Sequence, residues 1–225
     1  MKIVVFSKSN AIDELRKEIE KHGFKYSENN PEVVISLGGD GTYLRSERKY
    51  PRIPKLIIRD KSICKKCEFD DLEKALRRLK DGKYKIRDNM KLETKIRRRK
   101  LTCVNEFSIR NRYATTALRF YMWINDERTD EIIADGIVVS TPFGSTGYYK
   151  SMGGKKFDKG IGVGFNNPTK RMKHLIVPEN SKVNIKVIRG DAVFSSDNDP
   201  KVVLLEKNEI ITIRKSKDAA RVVDI

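Results

Sequence analysis

The sequence predicts an α/β N-terminal domain with a parallel sheet, followed by an all-β, sandwich-like C-terminal domain. In the first part of the chain, short apolar runs alternate with segments whose apolar residues recur at helical spacing, as in βαβ units. From about Lys91 onward, apolar residues instead alternate with charged ones, which is typical of antiparallel strands. We therefore place an α/β domain at residues 1–88 and a β-rich domain at residues 89–225. We leave open whether the last residues return to the first domain.

The N-terminal domain contains two predicted helices between buried strands. The first helix starts after the N-cap residue Asn10 and ends at Gly23. The second starts near a capping box of Asp70 and Glu73 and ends at Gly82. Continuous apolar runs predict strands at residues 3–6, 33–37 and 56–58.

The C-terminal domain shows many strand-like segments and little helical pattern. The pair Asn125-Asp126 marks a turn between two of them. The predicted strands cover residues 92–96, 101–104, 107–109, 117–124, 132–140, 183–188, 192–195, 202–205 and 210–213.

The chain of 225 residues carries a formal net charge of +17, which has three possible explanations. These are nucleic-acid binding, steering of polyanionic substrates such as ATP, NAD or polyphosphate, and a general surface bias. Lys and Arg are spread along the chain, and no nucleic-acid motif accompanies the dense run at residues 95–100. We therefore favour a surface bias with some steering and expect no nucleic-acid partner. The absence of Gln beside abundant Lys, Arg and Glu is typical of a hyperthermophile.

The lengths of the apolar runs predict a cytoplasmic protein. No apolar stretch is long enough to span a bilayer, and the first apolar run is too short for a signal peptide, so we expect no membrane association.

The pair Cys64 and Cys67 allows a zinc site, a disulfide or two buried thiols. We favour buried, unreactive thiols, because zinc usually needs four ligands.

The first motif that indicates chemistry is Gly38-Gly39-Asp40-Gly41-Thr42, directly after a predicted buried strand. Glycines at this point let the backbone turn sharply and approach a phosphate closely, while successive N–H groups form an anion cradle. An Asp in such a loop can hold a metal or accept a proton from an attacking hydroxyl. A tight turn capped by the Asp is the alternative interpretation.

Two further motifs lie in the β-rich domain. A strand beginning near Asp135 ends in the run Ser-Thr-Pro-Phe-Gly-Ser-Thr-Gly-Tyr at residues 140–148, which offers many donors and acceptors at close range, as a nucleotide requires. A solvated Ser/Thr/Gly loop is the alternative. The pair Asn105-Glu106, between two short strands, would by itself indicate only a surface turn.

Together, in this order, the three motifs resemble those of the NAD kinase family, with Gly153-Gly154 as the glycine pair that follows the long motif. The resemblance is clear over residues 33–155 and loose elsewhere. The first motif is shared with diacylglycerol and sphingoid lipid kinases, whereas the long motif is specific. This chain departs from the pattern at residues 62–69, at Ala134, and at Asp197-Asn198-Asp199, where the family tends to have Asp-Gly.

The resemblance implies an enzyme that transfers a phosphoryl group from ATP or polyphosphate to the 2′-hydroxyl of the adenosine ribose of NAD, making NADP. It implies Mg²⁺ carried by the phosphoryl donor, with no metal ligand assigned to a protein side chain, and a homodimer or homotetramer. Asp40 would be the catalytic base, or would orient the hydroxyl, and Gly38, Gly39, Gly41 and Thr42 would bind the donor phosphates. The implied NAD-binding residues are Asn105, Glu106, Asp135, Ser140, Ser145, Thr146, Gly147, Tyr148 and Ser151.

Two other functions remain open at this point. A lipid kinase would share the glycine motif, but it would need an apolar substrate groove. A non-catalytic regulator that binds NAD or NADP would have no need of a proton acceptor at Asp40. Donor preference and the choice between NAD and NADH do not follow from the sequence.

Overall fold

Strands and helices cover most of the residues that the computed structural model describes, which are residues 1–7, 12–58 and 72–225. These residues form two units, one of residues 1–89 with 219–225 and one of residues 90–218. Three of the predictions above rest on residues outside the described ones: the N-cap at Asn10, the pair Cys64 and Cys67, and the capping-box residue Asp70.

The first unit is built on a parallel sheet with helices, which confirms the α/β class predicted for this part of the chain. Its elements are β1 (Lys2–Ser7), α1 (Ile12–Lys21), β2 (Lys25–Tyr26), β3 (Val33–Leu37), α2 (Asp40–Lys49), β4 (Lys55–Ile58) and α3 (Leu72–Lys80). The strands lie in the order β2-β1-β3-β4, all parallel. Val222 and Val223, near the end of the chain, add a further parallel strand beside Lys55 and Leu56.

The core of this unit forms where the apolar stripes of α1 and α3 cover the sheet. Ile19 of α1 and Leu76 of α3 are fully buried, together with Ile3 of the first strand. The helices end where the sequence predicts, because Gly23 and Gly82 adopt the left-handed conformation that a side chain disfavours.

The second unit is a β-sandwich, as the sequence predicts. Its elements are β6 (Arg99–Cys103), β7 (Glu106–Asn111), β8 (Leu118–Ile124), β9 (Glu127–Arg128), β10 (Ile132–Ala134), β11 (Gly136–Ser140), a 3-10 helix (Phe143–Thr146), α4 (Tyr148–Ser151), β12 (Ile161–Asn166), β13 (Leu175–Val177), β14 (Val183–Arg189), β15 (Ala192–Ser196) and β16 (Val203–Leu204). Two long strands, β5 (Lys85–Ile96) and β17 (Ile210–Asp224), have residues in both units.

Two antiparallel arrangements face each other across the core of the sandwich. One has the strand order β13-β12-β11-β7-β15-β16; the other contains β10, β8, β14 and the first part of β17. Phe107 and Phe194 from the first meet Phe120 and Ile185 from the second in one buried cluster.

The predicted single strand over residues 132–140 is wrong. The chain forms two strands there, and each pairs in a different layer: β10 pairs with β8, whereas β11 pairs with β7 and β12. The change of layer occurs at Asp135 and Gly136. A Cβ on Gly136 would lie 2.3 Å from the carbonyl oxygen of Ile109, so a glycine is needed for this close approach.

Seven elements are absent from the sequence-based prediction: β2, α2, β9, the 3-10 helix, α4, β12 and β13. Helix α2 starts inside the glycine motif, and its buried residues include the polar Ser46 and Glu47, so its sequence lacks a regular apolar stripe. Strand β12 contains Gly162 and Gly164, which leave room for Phe157, Met152 and the buried Tyr149 rather than giving an apolar alternation. These glycines allow α4 to pack directly on the sheet.

A buried ion pair joins α2 to β4. The ammonium of Lys55 donates hydrogen bonds to the carboxylate of Glu47 and to the carbonyl of Tyr50. The two charged side chains are 0% and 3% exposed, so neither charge is solvated by water. Each charge therefore depends on its partner.

We predict that Lys55→Met lowers the free energy of unfolding by about 3–5 kcal/mol, because it removes the buried cation that contacts the buried Glu47 carboxylate. The double variant Lys55→Met/Glu47→Gln removes both charges and should recover most of that loss. Urea unfolding of the three proteins measures the effect. Equal losses in the single and the double variant would show that the ion pair is not the cause.

Candidate functional site

The glycine motif forms a tight turn from a parallel strand into a helix. Gly38 follows β3 with a positive φ of 145°, and a Cβ there would lie 2.5 Å from Oγ1 of Thr42. Gly39 is the N-cap residue of α2, and its carbonyl accepts the first helical hydrogen bond, from the N–H of Thr42 at 2.9 Å. Asp40 is therefore the first residue of the helix rather than a loop residue.

The N-terminus of α2 has the properties of a phosphate-binding position. Asp40 and Gly41 are exposed, whereas Thr42 is buried. The helix dipole gives this end a partial positive charge, and the glycines leave its backbone open to an anion. The structure thus brings together all five residues of the first motif.

The pair Asn105-Glu106 lies at one end of the six-stranded sheet, where three strands meet. Glu106 begins β7 and pairs with Ser140, the last residue of β11. On the other side of β7, Ser196 ends β15 and pairs with Phe107. The turn before β7, the loop after β11 and the residue after β15 are therefore neighbours.

Hydrogen bonds fix the long loop to this turn. The N–H of Thr141 donates to the Asn105 carbonyl at 2.8 Å, and its hydroxyl donates to the Val104 carbonyl at 2.5 Å. The Gly144 N–H in turn donates to the Thr141 hydroxyl at 3.0 Å. Gly144 packs so closely on Asn105 that a Cβ would lie 2.2 Å from the Asn105 carbonyl oxygen.

Two side-chain oxygens in this site are buried without a hydrogen-bond partner among the described residues. They are Oδ1 of Asn105 and Oε2 of Glu106. Both side chains face Gly147, because a Cβ on that glycine would lie 3.6 Å from Nδ2 of Asn105 and 3.7 Å from Oε2 of Glu106. Buried polar atoms normally have partners, so this pair indicates a place for a polar ligand.

Asp197 lies behind this pair and was not identified from the sequence as a site residue. Its Oδ1 accepts hydrogen bonds from the N–H groups of Asn105 at 2.8 Å and Glu106 at 3.2 Å, and its Oδ2 accepts one from the Val104 N–H at 2.9 Å. Burial, followed by the nearby Asp197 charge, raises the pKa of Glu106 to about 8. Burial also raises the pKa of Asp197, to about 6, against the opposing effect of the backbone N–H groups.

The predicted NAD-binding residues of the long loop fall into two groups. Ser140 and Ser145 are fully buried, and their hydroxyls donate to backbone carbonyls of Asn105 and Pro142. Thr146, Gly147 and Ser151 are exposed, and Tyr148 is half-buried. The guanidinium of Arg110, a residue not singled out from the sequence, lies 5.9 Å from the centre of the Tyr148 ring. The second group therefore forms the accessible part of the loop.

Asp135 lies away from this group. It precedes β11, whereas Ser140 ends that strand, and strand geometry separates the two ends of β11 by roughly 13 Å. Its carboxylate accepts a hydrogen bond from Nδ2 of Asn167 at 2.9 Å. The structure does not bring Asp135 into contact with Asn105 or Glu106 within the second unit.

Residues 1–7, 12–58 and 72–225 contain no group of three His, Cys, Asp or Glu side chains arranged to hold a metal. No helix within those ranges is long and apolar enough to cross a membrane.

Comparison with known proteins identifies the family. The family model described as ATP-NAD kinase C-terminal domain matches residues 104–225. An NAD kinase of Clostridium perfringens is 30% identical over 207 residues, which cover 85% of this chain and 74% of that relative. These two matches place the chain among nucleotide-dependent kinases. The chain belongs to the NAD kinase family.

Two solved structures share the fold. An NAD kinase from Archaeoglobus fulgidus, crystallised in complex with ATP, has a TM-score of 0.84 at 20% identity, covering 98% of this chain and 92% of that chain. A yeast NADH kinase complexed with NADH has a TM-score of 0.86 at 17% identity, covering 100% and 83% respectively. These matches confirm the predicted fold class.

We predict that two alanine substitutions in the same loop lower the stability of the protein by different amounts. Gly144→Ala should destabilise the protein by about 1–3 kcal/mol, because its Cβ collides with the backbone of Asn105, which cannot move away. Gly147→Ala should destabilise the protein less, since the atom nearest to its Cβ, the Gly144 carbonyl oxygen, is 3.3 Å away and needs only a small shift. Thermal melts compare them, and similar losses in both would contradict the packing argument.

We predict that Glu106→Gln removes a pH dependence of stability. A carboxyl group whose pKa is raised in the folded state contributes stability below its ordinary pKa, and that contribution is lost as the pH rises through the folded pKa. The Tm of the variant should therefore increase relative to wild type between pH 4.5 and about 8. Glu127→Gln, at an exposed position in β9, is the control and should show no such trend. A constant difference in Tm for Glu106→Gln would contradict the raised pKa.

Proposed function

We propose that this chain binds NAD at the Asn105-Glu106 turn and a phosphoryl donor at the N-terminus of α2, and transfers the terminal phosphoryl group to the 2′-hydroxyl of the adenosine ribose. The product is NADP, in keeping with membership of the NAD kinase family. ATP is the donor we favour, since the matched family model carries ATP in its description.

The observation that carries this proposal is the pair of buried oxygens on Asn105 and Glu106 that have no hydrogen-bond partner among the described residues. With a pKa near 8, Glu106 is mostly protonated at neutral pH and can donate a hydrogen bond, whereas Oδ1 of Asn105 can only accept one. A hydroxyl group both accepts and donates, so a ribose hydroxyl fits the pair. A phosphate would place an acceptor against the Asn105 oxygen.

The donor side of the reaction uses the first motif. Gly38, Gly39, Gly41 and Thr42 would surround the donor phosphates, where the N-terminus of α2 offers a favourable field. Asp40 would orient the 2′-hydroxyl and take its proton as the oxygen forms its bond to the γ-phosphorus. The bond between that phosphorus and the bridging oxygen breaks, and ADP leaves.

The residues present fit a magnesium ion that arrives with the nucleotide. Mg²⁺ keeps several of its waters and is bound together with substrate phosphates, so the exposed N-terminus of α2 is compatible with a magnesium ion that the donor carries. The charge on the phosphates would be neutralised by Mg²⁺ when it is bound.

Within the long loop, the proposed role of each residue depends on whether its side chain is exposed or buried. Thr146, Gly147, Tyr148 and Ser151 would contact NAD directly, whereas Ser140 and Ser145 would shape the loop through their bonds to backbone carbonyls. Asp135, at the far end of β11, would meet the nicotinamide end of an extended NAD.

We also propose a homo-oligomer, a dimer or tetramer, that works in the cytoplasm, where ATP and NAD are available. Exposed apolar side chains on β13 and β16, including Ile176 and Leu204 at 52% and 48% exposure, offer surface for self-association.

The direct test mixes the purified protein with NAD, ATP and Mg²⁺ and detects NADP with an NADP-specific dehydrogenase. We expect NADP to form in proportion to enzyme, and no phosphorylation of diacylglycerol. Transfer to diacylglycerol in place of NAD would favour the lipid-kinase alternative. NAD binding without NADP formation would favour a regulator.

We predict that Asp40→Asn lowers kcat at least about 10²-fold while NAD affinity and Tm stay near wild type. The amide keeps the size and polarity of the side chain but cannot accept the proton. Asp13→Asn, a change in the first turn of α1, is the matched control for a helix N-terminus and should keep full activity.

The measurements are steady-state kinetics, calorimetric NAD titration and a thermal melt on the same preparations. A normal kcat in Asp40→Asn would remove Asp40 from the chemistry. A lowered Tm with normal turnover of the folded fraction would show that the residue only stabilises the turn.

A further inference from the structure

Both the backbone and the side chain of Asp197 form hydrogen bonds with the turn before β7. Its N–H donates to the Glu106 carbonyl at 3.0 Å, while its carboxylate accepts the three consecutive N–H groups of residues 104–106. Its φ of 48° is in the left-handed region, which costs energy for any residue with a side chain. The hydrogen bonds hold it there nonetheless, which indicates a tightly determined position.

These contacts determine which of the two carboxyl groups holds a proton. Three N–H groups point at the Asp197 oxygens, so a proton on that carboxyl would place a donor against a donor. By contrast, Oε2 of Glu106 has no donor among the described residues to stabilise a charge. Two adjacent buried carboxyls do not both ionise readily, so the negative charge resides on Asp197 and the proton on Glu106.

The other titratable groups around the pair agree with this distribution. Lys91, buried in β5, favours the charged form of Asp197. Cys103 is fully buried at the end of β6, and burial raises the pKa of its thiol well above the ordinary value, so it stays neutral. Among the described residues, the interactions that shift the pKa of Glu106 are burial and the Asp197 charge, and both favour its neutral form.

We propose that Asp197 is a positioning residue for NAD binding: it fixes the backbone of residues 104–106 and keeps the neighbouring Glu106 carboxyl in its protonated, hydrogen-bond-donating form. This inference rests on the proposed function, because it takes the ribose of NAD as the ligand of Asn105 and Glu106. Asp197 itself touches the protein backbone, and it acts on the ligand through Glu106.

The proposal gives NAD affinity a characteristic pH profile. Binding is strongest while Glu106 is protonated and weakens as the pH rises through about 8, because the donor is lost and a second buried charge appears. Removing the Asp197 charge lets Glu106 ionise at lower pH. The same substitution also turns one acceptor for the backbone N–H groups into a donor.

The experiment is calorimetric titration of NAD into wild type, Asp197→Asn, Glu106→Gln and Asp199→Asn across about pH 6–9. We expect Asp197→Asn to bind at least about tenfold more weakly at neutral pH, with the midpoint of its pH profile lower by at least about one unit. Glu106→Gln should lose the pH dependence. Asp199→Asn, whose carboxylate accepts the N–H of Lys201 in the next turn, should keep the wild-type profile.

Two results of the titration would overturn the proposal. One is a wild-type midpoint unchanged in Asp197→Asn, even if the affinity drops, because that drop alone would show a merely structural role. The other is an affinity in the wild type that does not vary with pH. Absence of NAD binding to the wild type at any pH would instead overturn the proposed function, together with this inference.

A second measurement needs neither ligand nor a folded Asp197 variant. Carbon-13 NMR of carboxyl-labelled glutamate, with the Glu106 signal assigned by its loss in Glu106→Gln, gives the titration of that group directly. We expect a midpoint well above the ordinary value of 4.5. A midpoint near that ordinary value would overturn the proposal even if the binding profile behaved as expected.

Discussion

The hydrogen bonds between the Asp197 carboxylate and three successive backbone N–H groups are the interaction on which the second unit's site depends. The same turn is held from its other side, because the Asn105 carbonyl accepts the N–H of Thr141. The turn therefore joins segments that are about 35 and 92 residues distant in sequence. With its backbone groups engaged in this way, the turn has the Asn105 and Glu106 side chains left for a ligand.

Much of the fold can be predicted from the sequence, because the spacing of apolar residues and the positions of glycines depend on local backbone geometry. The runs at residues 33–37 and 56–58 are strands, and α1 and α3 end at glycines with positive φ. The failures have a common cause, which is tertiary packing that overrides the local pattern. In α2 a buried ion pair at Glu47 replaces apolar burial, and at Gly136 a single glycine moves the chain between layers.

The candidate site was predictable only where motif and chemistry are local. The glycine motif and the loop at residues 140–148 stand out as continuous segments, and the structure places each at the end of a strand. Asp197 carries a weaker signal, since it lies in the segment where the family tends to have Asp-Gly, and its contacts with the turn arise only from the pairing of β15 with β7. The hydrogen bonds of Ser140 and Ser145 to backbone carbonyls could not be predicted either. The sequence does not show whether a loop hydroxyl binds a ligand or a backbone carbonyl.

The arrangement of Asp197 and Glu106 is unfavourable for the protein without ligand. The Asp197 charge acts on the neighbouring Glu106 carboxyl, and Oε2 of Glu106 is buried without a donor among the described residues, although an apolar residue at position 106 would avoid both costs. In the proposed binding mode, a ligand hydroxyl that accepts from Glu106 and donates to Asn105 would satisfy both oxygens at once, so part of the cost in the free protein would be recovered as affinity. The requirement also gives selectivity, because a ligand without a hydroxyl at that point leaves the buried polar atoms unpaired. A ribose therefore has an advantage here that shape complementarity alone would not provide.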